Sequence, residues 1–131
     1  MSKATQLKLK EIRVSMGLFD FDVVCVVGDY ENACKYTAWK FEDKFVEELG
    51  IESNYGYEAR GKCFFRAGYV PVIWIPAKPK TPREIATLAH ECLHAVFHLF
   101  EWVALPVSRD TEEVMTHAQA HLVTNILKGL K

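Results

Sequence analysis

The sequence predicts an α+β domain with a short, mainly antiparallel sheet packed by helices, and three observations predict it. Residues 21–27 (FDVVCVV) form a β-branched run that stops at Gly28-Asp29. Residues 62–76 (KCFFRAGYVPVIWIP) hold two extended runs about Ala67-Gly68. Residues 81–84 (TPRE) open a stretch whose apolar residues recur every three or four positions. Short β-branched runs read as strands and the 3.6-residue period reads as helix, so both element types share one short chain.

Residues 5–16 are compatible with helix or strand, and residues 21–27 read as a buried strand. From Asp29 the period changes: Cys34, Ala38, Phe41, Phe45 and Leu49 recur at helical spacing with Lys and Glu between them. One amphipathic helix is expected there, with Gly50 suited to its C-terminal cap. Residues 51–61 (IESNYGYEARG) carry turn residues without a sustained period and read as a loop. The two runs about Ala67-Gly68 read as a β-hairpin, and Pro71, which has no amide hydrogen to give, places the second strand at a sheet edge. Thr81, Pro82 and Glu84 combine a favoured N-cap, proline at the first helical position and a capping-box glutamate, so a helix runs from there to about Trp102. A further start at Asp110, with Glu113 three residues on, opens a last helix that reaches about Leu127.

At 131 residues, 50% apolar and 25% charged, the chain can bury a core as one domain over residues 1–131 and is too apolar for disorder. Basic residues number 16 and acidic ones 17, a formal charge of -1 without long runs of one sign, so nucleic acid is not an expected partner. Lys3, Lys8, Lys10 and Arg13 are interleaved with Gln6, Leu7 and Leu9, and no signal-peptide core follows; a cytoplasmic location is expected. The apolar run at residues 23–27 is far short of the roughly 20 residues that cross a bilayer, so no membrane is expected either. Cys25, Cys34, Cys63 and Cys92 lack Cys-x-x-Cys spacing and read as small buried side chains.

Residues 81–98 (TPREIATLAHECLHAVFH) put His90, His94 and His98 four residues apart, with Glu91 among them. Burying ionisable groups costs free energy unless they are satisfied, and a divalent metal best satisfies two imidazoles. His90-Glu91-Cys92-Leu93-His94 is an HExxH sequence. On a helix, side chains four apart have Cβ atoms about 5–6 Å apart, so both imidazoles can reach one Zn²⁺ at about 2.0–2.1 Å. Glu91 occupies an adjacent part of the surface, where it can take a proton from water as general base and pass one to a leaving amine. The uncharged neighbours Thr87, Leu88, Ala89, Ala95 and Val96 place the histidines on a core-embedded helix, with Ile85, Ala89, Cys92, Val96 and Phe100 as its apolar stripe. His98 lies about 12 Å along the axis from His90, too far to share an ion with it on a straight helix.

A third ligand has to come from elsewhere. Residues 110–121 (DTEEVMTHAQAH) offer Glu112 and Glu113 near a first turn, then His117 and His121 four apart. Glu113 also suits a capping box with Asp110, while Met115, Ala118, Leu122 and Ile126 face closer to Glu112. All four are ligand types zinc accepts, and His117 and His121 are further candidates for polarising a substrate carbonyl or stabilising its oxyanion.

With these residues the chain resembles the gluzincin group of zinc peptidases, over roughly residues 69–123. The resemblance implies a compact zincin-like domain of the kind that recurs among small intracellular peptidases, phage-associated ones included. It implies that His90, His94 and Glu113, 19 positions after His94, hold Zn²⁺. Thr116 and His117 would fill the small and polar positions that follow the ligand glutamate in that group. The strand before the active helix would line the cleft and take a peptide along its edge. The metzincin branch is excluded, because Phe97 and Phe100 stand where it needs glycine and histidine.

The expected function is zinc-dependent hydrolysis of peptide bonds in a peptide or protein substrate, with Glu91 and His117 as catalytic residues. The alternative is a non-catalytic protein-binding module stabilised by metal. A weaker one is a nucleic-acid regulator using Lys78, Lys80 and Arg83. Iron, cobalt and manganese also accept such ligands.

Overall fold

The computed structural model describes residues 1–52 and 60–131, so most of the loop expected over residues 51–61 lies outside the described residues. The ambiguous N-terminal stretch is both element types, a short helix α1 (Lys3–Gln6) followed by strand β1 (Lys10–Ser15). Strand β2 (Asp22–Val27) is the β-branched run. Val23, Val24, Cys25 and Val26 are fully enclosed, as expected of a strand covered on both faces.

Helix α2 (Tyr30–Phe41) starts at Asp29, whose carboxylate accepts from the Asn32 amide. The single helix expected from Asp29 to Gly50 is in fact two. Glu42 adopts a left-handed backbone with φ 53°, and the Asp43 amide closes on the Ala38 carbonyl. The Asp43 carboxylate then accepts from the Phe45 amide to open α3 (Lys44–Glu52). Gly50 lies within α3 and does not cap it. The Arg66 guanidinium donates to the carbonyls of Phe41 and Glu42, satisfying the end of α2 from across the chain.

Strands β3 (Lys62–Phe64) and β4 (Val72–Ile75) form the expected antiparallel hairpin, whose turn uses a positive φ of 87° at Gly68. The sheet order is β1-β2-β4-β3, with β1–β2 antiparallel and β2–β4 parallel. The edge position expected for the Pro71 strand is therefore corrected: β4 lies between β2 and β3, and the edges are β1 and β3. Pro71 precedes the first paired residue, Val72, so no ladder bond is asked of it.

Helix α4 (Pro82–Trp102) begins as its capping chemistry dictates. The Glu84 amide donates to Thr81 Oγ1 and the Thr81 amide to Glu84 Oε1, both at 3.2 Å. A 3-10 turn (Arg109–Thr111) leads into α5 (Glu112–Gly129). The capping box there joins Ser108 to Thr111 and not Asp110 to Glu113.

The sheet is the middle of three layers. Ile12, Val14, Val23, Cys25, Ile73 and Ile75 pack on α4 and α5 through Leu88, Cys92, Leu99, Leu122 and Ile126. Val24, Val26, Phe64, Val72 and Trp74 pack on α2 through Ala33, Cys34 and Tyr36. Each enclosed Val, Leu or Ile contributes roughly 1.5–3 kcal/mol of burial, which fixes α4 firmly on the sheet. The expected α+β class holds: a four-stranded sheet with one parallel pairing and, among the described residues, five α-helices. Cys25, Cys34 and Cys92 are buried and Cys63 half-buried, all as free thiols. Among the described residues no helix is long and apolar enough to cross a membrane.

Candidate metal centre

Helix α4 turns Leu88, Cys92, Ala95, Val96, Leu99 and Phe100 into the core. His90 and His94 follow Leu88 and Cys92 by two positions, about 200° round the helix, and so face solvent. The expectation of core-embedded histidines is corrected. Uncharged neighbours mark a packed helix, but the direction of the imidazoles is set by the period of the buried stripe.

The two rings meet at that surface, with Nε2 atoms 3.2 Å apart, centroids 4.8 Å apart and planes at 76°. Two ligand nitrogens in a tetrahedral zinc shell at about 2.0–2.1 Å stand about 3.3–3.4 Å from each other. The pair fits one cation between its Nε2 atoms. A proton shared between one donor and one acceptor nitrogen spans the same distance in the metal-free protein.

Glu91 is half-buried on the side of α4 that meets β3. Gly61, one residue before β3, comes so close that a Cβ there would stand 3.1 Å from Thr87 Cγ2, 3.2 Å from Glu91 Cγ and 3.3 Å from the Trp74 carbonyl oxygen. Cys63 shares this neighbourhood: burial pushes its thiol well above the ordinary range, and the charges of Glu91 and Cys92 act in the same direction. Alternation along the strand puts Gly61, Cys63 and Phe65 toward α4 and Phe64 toward α2. Phe65 stacks on His98 with ring centroids 3.8 Å apart and planes at 20°. The edge strand thus runs beside α4 from Glu91 to His98.

His98, set too far along the helix to share an ion with His90, is engaged at that stack. Its Nδ1 lies 3.8 Å from Glu101 Oε2. Burial holds the imidazole below its ordinary pKa, and the Glu101 carboxylate opposes that shift.

The side of α5 that faces α4 is fixed by Gln119, whose Nε2 donates to the Ala89 carbonyl at 2.9 Å. At about 100° per residue, Glu112 lies about 20° from Gln119 around the helix, Glu113 about 120° and His117 about 160°. Glu112 therefore shares the α4-facing side. Glu113 and His117 pair with each other, Oε2 to Nε2 at 3.4 Å, with both side chains strongly exposed. His117 also lines a cavity of about 430 Å³ with Met16, Phe19, Val114 and His121, on the side of α5 turned from α4. His121 Nε2 lies 2.7 Å from the Ser15 carbonyl oxygen, to which it donates, while its Nδ1 accepts from Asn125 Nδ2 at 3.2 Å. Both nitrogens of that ring are spoken for.

The structure thus brings His90, Glu91 and His94 to one flank and leaves Glu113, His117 and His121 on another. Among the described residues no three His, Cys, Asp or Glu side chains converge as a group able to hold an ion. Gly61, Phe65 and Gln119 shape the site without any motif to mark them in the sequence. Only the closing position of Gly61 in a turn-rich stretch could have drawn attention to it. No family model, curated protein or solved structure matches this chain.

Proposed function

We propose that the chain is a zinc-dependent peptidase of compact zincin-like architecture, acting on a peptide or protein substrate in the cytoplasm. The observation that carries this reading is the 3.2 Å spacing of the His90 and His94 Nε2 atoms on a solvent-facing flank. When bound, zinc supplies the positive charge that polarises a carbonyl and lets water ionise near neutral pH. His90 and His94 would hold it through their Nε2 atoms. The third donor comes from the first turn of α5. Glu112 sits on the α4-facing side, whereas Glu113, the residue the gluzincin resemblance names, has first to release His117. Exchanging each glutamate singly for alanine assigns the donor, because only one exchange lowers zinc content.

Glu91 is the general base. Its Cγ lies close against Gly61, which seats the side chain beside the edge strand. From there it takes the proton of the attacking water and returns one to the leaving amine nitrogen. Among the described residues β3 has β4 as its only strand neighbour, so its outer edge can bond the main chain of an extended substrate.

The test is a pair of variants assayed for zinc content and for hydrolysis of a peptide mixture. Glu91→Gln is expected to keep zinc and lose about 10²–10⁴-fold in turnover. His90→Ala is expected to lose zinc itself. Parent-level hydrolysis by purified Glu91→Gln rejects the base, and full zinc retention after exchange of both histidines rejects the metal site.

A further inference from the structure

A second concave feature, not used by the reaction above, lies one helical turn beyond the histidine pair. It is a cavity of about 460 Å³ between the β3–β4 turn and the last turns of α4, lined by Phe65, Arg66, Tyr69, His98, Glu101 and Trp102. Its position relative to the pair is fixed by two parallel rulers. His98 follows His94 by one turn, about 6 Å along α4. Phe65, the residue just after β3, follows Cys63 on the side turned to α4, and same-face side chains of an extended chain are about 6.6–6.8 Å apart. A peptide lying along β3 with its scissile bond over His90 and His94 therefore brings a side chain two residues away to this cavity.

The wall also says what that side chain is. Several of its polar atoms are already engaged: Arg66 Nη1 donates to the Phe41 and Glu42 carbonyls, and the guanidinium lies 5.1 Å from the Tyr69 ring centroid. The Tyr69 hydroxyl donates to Glu42 Oε2 at 2.7 Å, and His98 faces Glu101. What stays open is ring surface. Phe65 is covered by His98 on one side and is still 61% exposed, and Trp102 is 40% exposed. A cationic side chain would meet Arg66 and an anionic one Glu101, so neither sign is favoured. Ring against ring satisfies this wall best.

We infer that this cavity is a specificity subsite of the peptide-binding site, selecting an aromatic residue two positions from the cleaved bond. The register rests on the peptidase reading; the aromatic preference does not need turnover. Two peptides differing only by Phe or Ala at that position are offered to the zinc-loaded protein, with products read by mass spectrometry. The Phe peptide is expected to be cleaved with a kcat/KM about tenfold higher, roughly what one well-packed aromatic contact supplies. That ratio falls toward one in Phe65→Ala and in Ala67→Trp, since Ala67 also lines the cavity and an indole there fills it. Equal cleavage of both peptides, or a ratio that survives Phe65→Ala, overturns the subsite while leaving the peptidase reading intact. Binding of the same peptides to zinc-loaded Glu91→Gln is the second measurement, with the Phe peptide expected to bind more tightly. If neither peptide is cut by the parent protein yet the Phe65-dependent binding preference persists, the subsite stands and the hydrolytic reading falls. Failure to discriminate in binding as well removes the subsite outright.

Discussion

Replacing Gly61 with alanine asks whether the edge strand really presses on the HExxH helix. The added Cβ would stand 3.1 Å from Thr87 Cγ2, 3.2 Å from Glu91 Cγ and 3.3 Å from the Trp74 carbonyl oxygen. Carbon contacts are comfortable at about 3.5–4.0 Å, so the strand has to back away by a few tenths of an ångström or Glu91 has to turn. The Trp74 carbonyl cannot give, because β4 is paired on both sides. Overpacking of this kind costs about 1–3 kcal/mol. Alanine also restricts the unfolded chain, which returns about 0.4–1 kcal/mol. The central values leave a net loss of about 1.3 kcal/mol. With an unfolding entropy of about 2.1 cal/mol/K per residue over the whole chain, that lowers Tm by about 5 °C. Thermal unfolding followed by circular dichroism measures it. Gly17→Ala is the matched control, since nothing lies within 4 Å of a Cβ at that position; its Tm is expected to equal or slightly exceed that of the parent. A Gly61→Ala protein that melts no lower than the parent would mean that the seat described for Glu91 does not exist.

Two other expectations follow from caps and burial. Thr81→Ala removes one half of the capping box of α4 and is expected to cost about 1 kcal/mol, read as a lower urea midpoint, with Thr81→Ser recovering most of it. Alkaline pH is expected to destabilise the fold through its thiols. Burial pushes Cys25 up to about 12 from an ordinary 9.0, so the unfolded chain releases this proton first. The stability is intact below about pH 9 and is lost as pH climbs toward 12, at up to about 1.4 kcal/mol per pH unit for this group. Cys63 and Cys92, also raised by burial, act in the same direction. Urea midpoints that stay level between pH 8 and about pH 11 would contradict this.

How much was legible in the sequence depended on whether the signal was local. Helix α4 was readable to its ends, because Thr81, Pro82 and Glu84 settle its start within one turn. The break between α2 and α3 was not. The apolar period runs on through Phe41 and Phe45, and the left-handed residue is Glu42, with no glycine to announce it. Strand order was hidden for a different reason: β4 reaches its inner place by pairing with β2, nearly fifty residues earlier, and Pro71 suggested an edge only while it was counted inside the ladder. At the candidate site the His90–His94 spacing was legible because one helix carries both. Which glutamate of α5 lies toward α4 was not, since that depends on contacts between residues far apart in sequence, among them the bond from Gln119 to Ala89. Locally, Glu113 finds His117 four residues away.

The three-residue length of β3 has a consequence for the protein in company. A bare sheet margin invites copies of the same chain to stack on it, and nature commonly blunts such margins by brevity and by lysine or arginine. Here Lys62 stands within the segment and Arg66 just past it. So brief a ladder gives a second molecule too little backbone to seed a fibre. A peptide laid along the same margin would find few main-chain bonds and lean more on its side chains, which turns a safeguard against polymerisation into a reason for selectivity.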